Sequence, residues 1–243
     1  MFYPLRYMPS GHIFIDPQDD CDLVIDAMLE TRYSREFCIA QAFEEGFVGR
    51  LMEAGFLVMS MELRDDEPKE NNAEVQEPFF ILLPELHLVR SALFFHDLHI
   101  KKSIRPFLSR YELRVDTDFD NVLGKCIKTH GDDWLTPPLA GVFQSLRVRK
   151  DMRVRPVSFS VYREGELKAG EVGVVIGRVY TSYSGYYEEN NAGTVQMILM
   201  AQWLEKMGFD FLDFGMPLDY KTALGAQDIS PEQFVRLFRA GRN

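Results

Sequence analysis

Residues 165–226 read GELKAGEVGVVIGRVYTSYSGYYEENNAGTVQMILMAQWLEKMGFDFLDFGMPLDYKTALGA. Gly165 marks a hairpin turn after the alternating run Val157–Arg163, and Leu167–Arg178 continues as a long strand broken by glycines. A tyrosine-rich turn follows. Asn190 or Asn191 caps a helix over Gly193–Lys206, which Gly208 ends. Phe209–Phe214 reads as the returning strand, with Phe209, Phe211 and Asp213 on one side by period two. Ser230 and Pro231 then open a last helix to Arg239. Adjacent strands, a helix and a returning strand predict an α+β fold, a mixed sheet with packed helices.

Working outward, Asp20–Glu30 carries apolar residues at helical intervals, and Ser34 is placed to cap a second helix over Phe37, Ala40 and Phe43, stopped by Gly46. Phe56–Met61 and Phe79–Leu83 read as strands. Between them Arg64–Gln76 has no apolar period and reads as an exposed polar loop. Ser103–Ser109 reads as helical around Pro106, Tyr111–Val115 as a strand, and helices follow Asp118 and Thr136. The predicted organisation is a smaller α/β domain over 1–78, with its acidic loop at 64–77, and the sheet-forming unit over 79–243.

The 243 residues are 46% hydrophobic, enough for real cores. Apolar runs are too short to span a bilayer and the start lacks a secretory signal, so a monomeric cytoplasmic protein with no membrane partner is expected. Cys21, Cys38 and Cys126 have no C-x-x-C spacing and read as reduced, buried thiols. His96 and His99 lack a third ligand at suitable spacing, so no metal is expected. The net charge is −10, yet Lys101, Lys102, Arg105, Arg110 and Arg114 cluster, as do Arg147, Arg149, Lys150, Arg153 and Arg155. Two basic segments in an acidic chain fit nucleic-acid contact on one side; solvated surface is the alternative reading.

Ordered motifs extend the picture. Leu83-Pro84-Glu85-Leu86-His87 with Arg90-Ser91, Tyr111–Val115 with Asp118-Phe119, Asp133-Trp134-Leu135-Thr136, Gly177-Arg178-Val179-Tyr180, Asn191-Ala192, Leu212-Asp213 and Leu224-Gly225-Ala226 occur in one order. In that order and spacing the chain resembles the leucyl/phenylalanyl-tRNA–protein transferases over roughly its last two-thirds. The resemblance implies a C-terminal fold of the N-acetyltransferase (GNAT) type. It also implies an enzyme that moves Leu, Phe or another apolar residue from aminoacyl-tRNA to an N-terminal Arg or Lys of a protein, marking it for degradation. No metal or organic cofactor is implied. The stretch Ser184–Gly193 has too few glycines and two acidic residues for the pyrophosphate loop of acetyl-CoA enzymes.

Departures from the family pattern fall on its polar residues. Tyr183 stands in place of the glutamate of Gly-Glu-Ser, and Gly215 in place of the glutamine of Asp-Cys-Gln. Val157-Ser158-Phe159-Ser160 lacks the glutamate of His-Ser-Val-Glu, and Tyr220 stands for a histidine. Asp213 is the expected catalytic group, orienting the amine or accepting a proton. Tyr180, Tyr183, Tyr186 and Tyr187 are expected to line an apolar pocket or stack on the terminal adenine, with Ser158, Ser160, Ser184 and Asn191 nearby. Glu171 is a candidate to replace a missing carboxylate. Arg147, Arg149, Lys150, Arg153 and Arg155 are the first choice for the acceptor stem, Lys101 and Lys102 the second. Two rival readings remain: a catalytically silent module binding peptide N-termini or RNA, and an N-acyltransferase with another donor.

Overall fold

The computed structural model describes residues 3–63, 78–131 and 134–243; the loop expected at 64–77 lies outside the described residues. Strand β1 (Arg6–Tyr7) pairs with β2 (Ile13–Phe14), and helix α1 (Cys21–Glu30) follows. Asp20 opens α1 by accepting from the backbone N–H groups of Asp22 and Leu23, donors that no earlier turn can satisfy.

The helix expected between Ser34 and Gly46 is replaced by extended chain. Cys38 N–H donates to the Pro84 carbonyl at 2.8 Å, and Ala40 and Leu82 exchange bonds at 3.0 and 2.8 Å. Cys38 and Ala40 are buried while Phe37 and Ile39 are only partly so, a period of two rather than 3.6. The second helix, α2 (Glu45–Ala54), runs through Gly46 and stops at Gly55, whose φ of 114° is left-handed. Strands β3 (Leu57–Leu63) and β4 (Phe79–Glu85) pair antiparallel, so the division expected between 78 and 79 falls between hydrogen-bonded partners.

The rest of the chain runs β5 (Arg90–Leu93), α3 (Arg105–Leu108), β6 (Glu112–Val115), α4 (Phe119–His130) and α5 (Pro137–Val148). Then come β7 (Arg155–Arg163), β8 (Glu166–Ile176), β9 (Val179–Tyr187) and α6 (Ala192–Lys206). The end is β10 (Phe211–Gly215), α7 (Asp219–Ala223), β11 (Gln227–Ile229) and α8 (Pro231–Arg242). Seven strands form one sheet in the order β11-β5-β10-β9-β8-β7-β6. Within that sheet, among the described residues, β9 and β10 alone run parallel; α6 is the crossover such a pair requires. The fold is therefore α+β with a mixed sheet, as expected.

Two further features differ from the sequence reading. The tyrosine-rich segment is a full strand, β9, because β8 and β10 pair with it on both sides. Strands β5 and β11, four and three residues long, carry too little pattern to be read.

Strand alternation separates two cores. Val172, Val174 and Ile176 of β8 pack toward α4, α5 and α8, among Val122, Phe143, Phe234 and Phe238. Ala169 and Val175 point the other way, toward Val195, Ile198, Ala201 and Leu204 of α6. Glu171 and Gly173 share that second face by period two.

Candidate functional site

The parallel register of β10 and β9 ends at Asp213 opposite Thr181. Beyond it β9 continues along β8 to Tyr187, whereas β10 turns away at Gly215 (φ 71°) into α7. The parting strands leave a cleft of about 530 Å³. Its walls are the end of β9, the first turns of α6, Phe214, and Tyr220 and Lys221 of α7; Glu171 lines it from β8.

Glu171 is 3% exposed. Its Oε2 accepts from Gln196 Nε2 at 3.4 Å, a long bond, and its enclosed Oε1 makes no bond of full geometry among the described residues. Burial pushes its carboxyl up to about 7, although the Ser182 and Tyr180 hydroxyls, Gln196 and the charge of Lys221 pull it back. The Tyr180 hydroxyl makes no bond of full geometry. It reaches this region over Gly173, where an added Cβ would lie 2.4 Å from the phenol and from the Thr181 carbonyl. Only glycine leaves that space.

Asp213 does not line the cleft. It is 0% exposed and accepts four hydrogen bonds: Arg90 Nε at 2.8 Å, Arg90 Nη2 at 2.7 Å, the Thr181 hydroxyl at 2.9 Å and Gly215 N–H at 3.0 Å. Burial alone would raise its carboxyl; the Arg90 charge and these bonds outweigh it and hold the group below its usual value. Arg90 is 1% exposed and lies over the Phe234 ring at 4.2 Å. Two of the motif segments thus meet in one buried ion pair beneath the cleft. Lys221 ties the same turn together: its Nζ donates to the Phe214 and Met216 carbonyls at 2.7 and 2.8 Å, and burial lowers it to about 8.

Tyr183, Tyr186 and Tyr187 line the cleft, with Tyr183 and Tyr186 also reaching into the core behind it, and Tyr180 does not line it. Tyr180 is packed under α6 beside Phe159. Val172 pairs with Ser184 and Gly173 with Ser182, so Tyr183 is the extra residue of a bulge. Its ring meets Phe143 and Trp134 on the opposite face and its hydroxyl accepts from Val58 N–H at 3.1 Å. Tyr186 joins the same core, while Tyr187 stays exposed at the cleft rim. Ser184 and Asn191 do line the cleft. Ser158 and Ser160 do not: both are fully buried, and Ser160 donates to the Arg114 carbonyl. On β7 they alternate with Val157, Phe159 and Val161, which occupy the α6 face.

The basic segments lie apart. Arg155 pairs with Val175, four residues along β8 from Glu171, so the 147–155 stretch sits toward the far end of the sheet from the cleft. Arg147 is bonded to Asp116 and lies over Phe119; Arg149 is bonded to both Asp151 and Glu45. Arg153 lines a separate hollow with Asp20 and Glu53, and Lys150 is exposed. Lys101 instead lines a small apolar hollow of about 150 Å³ that shares Thr194, Met197 and Tyr220 with the main cleft, and exposed Lys102 follows it.

Sequence reasoning missed Lys221, Gln196, Met197 and Phe214 as lining residues. Gln196 carried a signal, a buried amide on an otherwise apolar helix face. Lys221 carried none, since its position depends on where α7 packs.

The fold is α+β, with a cleft where two parallel strands part beside a helix N-terminus. A model of the leucyl/phenylalanyl-tRNA protein transferase family matches residues 92–239, and the chain belongs to that family. It is 31% identical over 151 residues to the leucyl/phenylalanyl-tRNA–protein transferase of Pseudomonas entomophila, covering 60% of this chain and 65% of that protein. The chain thus matches less than two thirds of the length of that curated relative. Among solved structures, L-PGS from Bacillus licheniformis aligns over 98% of this chain and 88% of its own at 12% identity and a TM-score of 0.44. A GCN5-related N-acetyltransferase from Anabaena variabilis aligns over 86% and 48%, at 10% identity and a TM-score of 0.41.

Proposed function

We propose that the chain transfers an aminoacyl group from aminoacyl-tRNA to the N-terminal amine of a protein, with an apolar residue such as Leu or Phe donated and an Arg or Lys end accepted. The observation that carries this reading is the cleft itself, which lies within the family-matched segment and combines apolar walls with a buried carboxylate. Met197, Phe214 and Tyr220 offer contact area for an apolar side chain or an adenine ring. The N-terminus of α6, at Gly193 and Thr194, lines the cleft with first-turn N–H groups suited to a developing oxyanion.

Transfer from an ester to an amine is downhill and depends mainly on positioning. Asp213 acts here as a positioning residue: through Arg90 and Thr181 it fixes the point where β10 leaves β9 and so holds the cleft open. Lys101 and Lys102, next to the cleft, take the phosphates near the tRNA end in preference to the carboxylate-paired Arg147 and Arg149. The test is incubation with labelled leucyl-tRNA and phenylalanyl-tRNA and a peptide beginning with Arg. Label in the peptide is the expected result; none with any of several charged tRNAs would reject the enzyme.

A further inference from the structure

Glu171 is a buried carboxylate on the wall of the cleft, and among the described residues its enclosed Oε1 makes no hydrogen bond of full geometry. Such an oxygen has given up water without gaining a hydrogen bond of full strength, so it keeps capacity for a donor entering from the cleft. The donor it fits is a cationic or neutral amine with several N–H groups. We infer that Glu171 binds the incoming amino group and removes its proton, supplying in this chain the base that Gly215 and Tyr183 do not. This rests on the transferase reading above.

Every group facing the carboxyl is consistent with that role. Gln196 of α6 donates to Oε2 through a long bond, and Oε1 makes no bond of full geometry among the described residues. Ser182 and Tyr180 of β9 are neutral hydroxyls. Lys221 of α7 is committed to two backbone carbonyls. Tyr220 and the Cys126 thiol, whose own ionisation the Glu171 charge opposes, remain protonated near neutral pH. With burial holding Glu171 near 7, the carboxylate is available at neutral pH and basic enough to take a proton from an ammonium.

The step balances without a further reagent. The ammonium gives one proton to Glu171 and becomes an amine. Its nitrogen lone pair attacks the ester carbonyl carbon of aminoacyl-tRNA, forming C–N as the bond to the ribose oxygen breaks. The second proton on the attacking nitrogen ends on that leaving oxygen, and Glu171 releases its proton to water.

The experiment compares the intact protein with Glu171→Gln, an isosteric change. With the peptide Arg-Ala-Ala as acceptor, the variant should lose on the order of 10²-fold in transfer, together with the rise in rate through pH 7. With an acceptor whose terminal nitrogen is unprotonated at neutral pH, such as an aminooxy-capped peptide, the deficit should shrink below about tenfold, the deprotonation part of the Brønsted contribution being no longer needed. A merely structural glutamate would show neither the lost pH step nor the rescue. Calorimetry without tRNA adds a second arm: the intact protein should bind Arg-Ala-Ala more tightly than its N-acetyl form, and the variant should not discriminate. Transfer by the intact protein with unchanged rate and pH profile in the variant overturns the role of Glu171 and leaves the transferase standing. No transfer, with discrimination that depends on Glu171, overturns the transferase and leaves the amine site. No transfer and no discrimination overturns both.

Discussion

Arg90 grips Asp213 through two parallel hydrogen bonds of 2.8 and 2.7 Å, and both side chains are buried. The pair joins β5 to β10 at the point where β10 leaves the sheet. Bidentate geometry and two further donors to Asp213 offset the cost of desolvating its charge, while Arg90 Nη1 makes no hydrogen bond among the described residues and rests its guanidinium over Phe234.

Asp213→Asn should therefore destabilise the fold by about 3–5 kcal/mol, because Arg90 is left buried without its anion. Urea denaturation followed by circular dichroism measures this. The sign with pH follows from the depressed folded value: the contribution is present above the unfolded carboxylate value and is lost as pH falls through the folded one. The intact protein should lose stability in acid more steeply than the variant.

Glu171→Gln should move stability the other way. Folding raises this carboxyl from 4.5 to about 7, so the folded state holds the proton more tightly than the unfolded chain. Its contribution is present below 4.5 and is lost as pH rises through about 7. At pH 8 the variant should be more stable than the parent by on the order of 3 kcal/mol, and near pH 4 the two should match. Melting curves at both pH values decide it; a variant less stable at pH 8 would show that the carboxylate is satisfied.

Gly173→Ala places a methyl 2.4 Å from both the Tyr180 phenol and the Thr181 carbonyl. Backbone cannot yield as a flexible side chain would, so a loss of about 1–3 kcal/mol or more is expected. Replacing Tyr180 by Phe in the same chain should not restore it, because the carbonyl clash remains.

Replacing Lys101 and Lys102 with Ala should weaken tRNA binding and flatten its dependence on salt by roughly 1.5 in log–log slope. Replacing Arg149, which is bonded to Asp151 and Glu45, should change that slope less. Filter binding across a salt series separates the two segments. A larger effect at Arg149 would return the acceptor stem to the far end of the sheet.

Local patterns carried most of the architecture. The starts of α1 after Asp20 and of α8 after Ser230 were legible in short stretches of chain because those residues cap through their own side chains, whereas Gly55, which ends α2, was passed over for Gly46. The 34–44 stretch was misread because a few apolar residues fit either period, and pairing with β4 decided for extended chain.

The order of motifs in the chain was sufficient for the family and for an α+β sheet with a crossover helix, since turns, caps and alternation are properties of neighbours along the backbone. Which polar groups face the cleft was settled only by packing. Asp213 and Glu171 are both buried acids on neighbouring regions of one sheet, yet Arg90, 123 positions away, closes one over while the parting of β9 and β10 puts the other on the cleft wall. A carboxyl's chemistry is set by what surrounds it in space, and that is not written in its own segment.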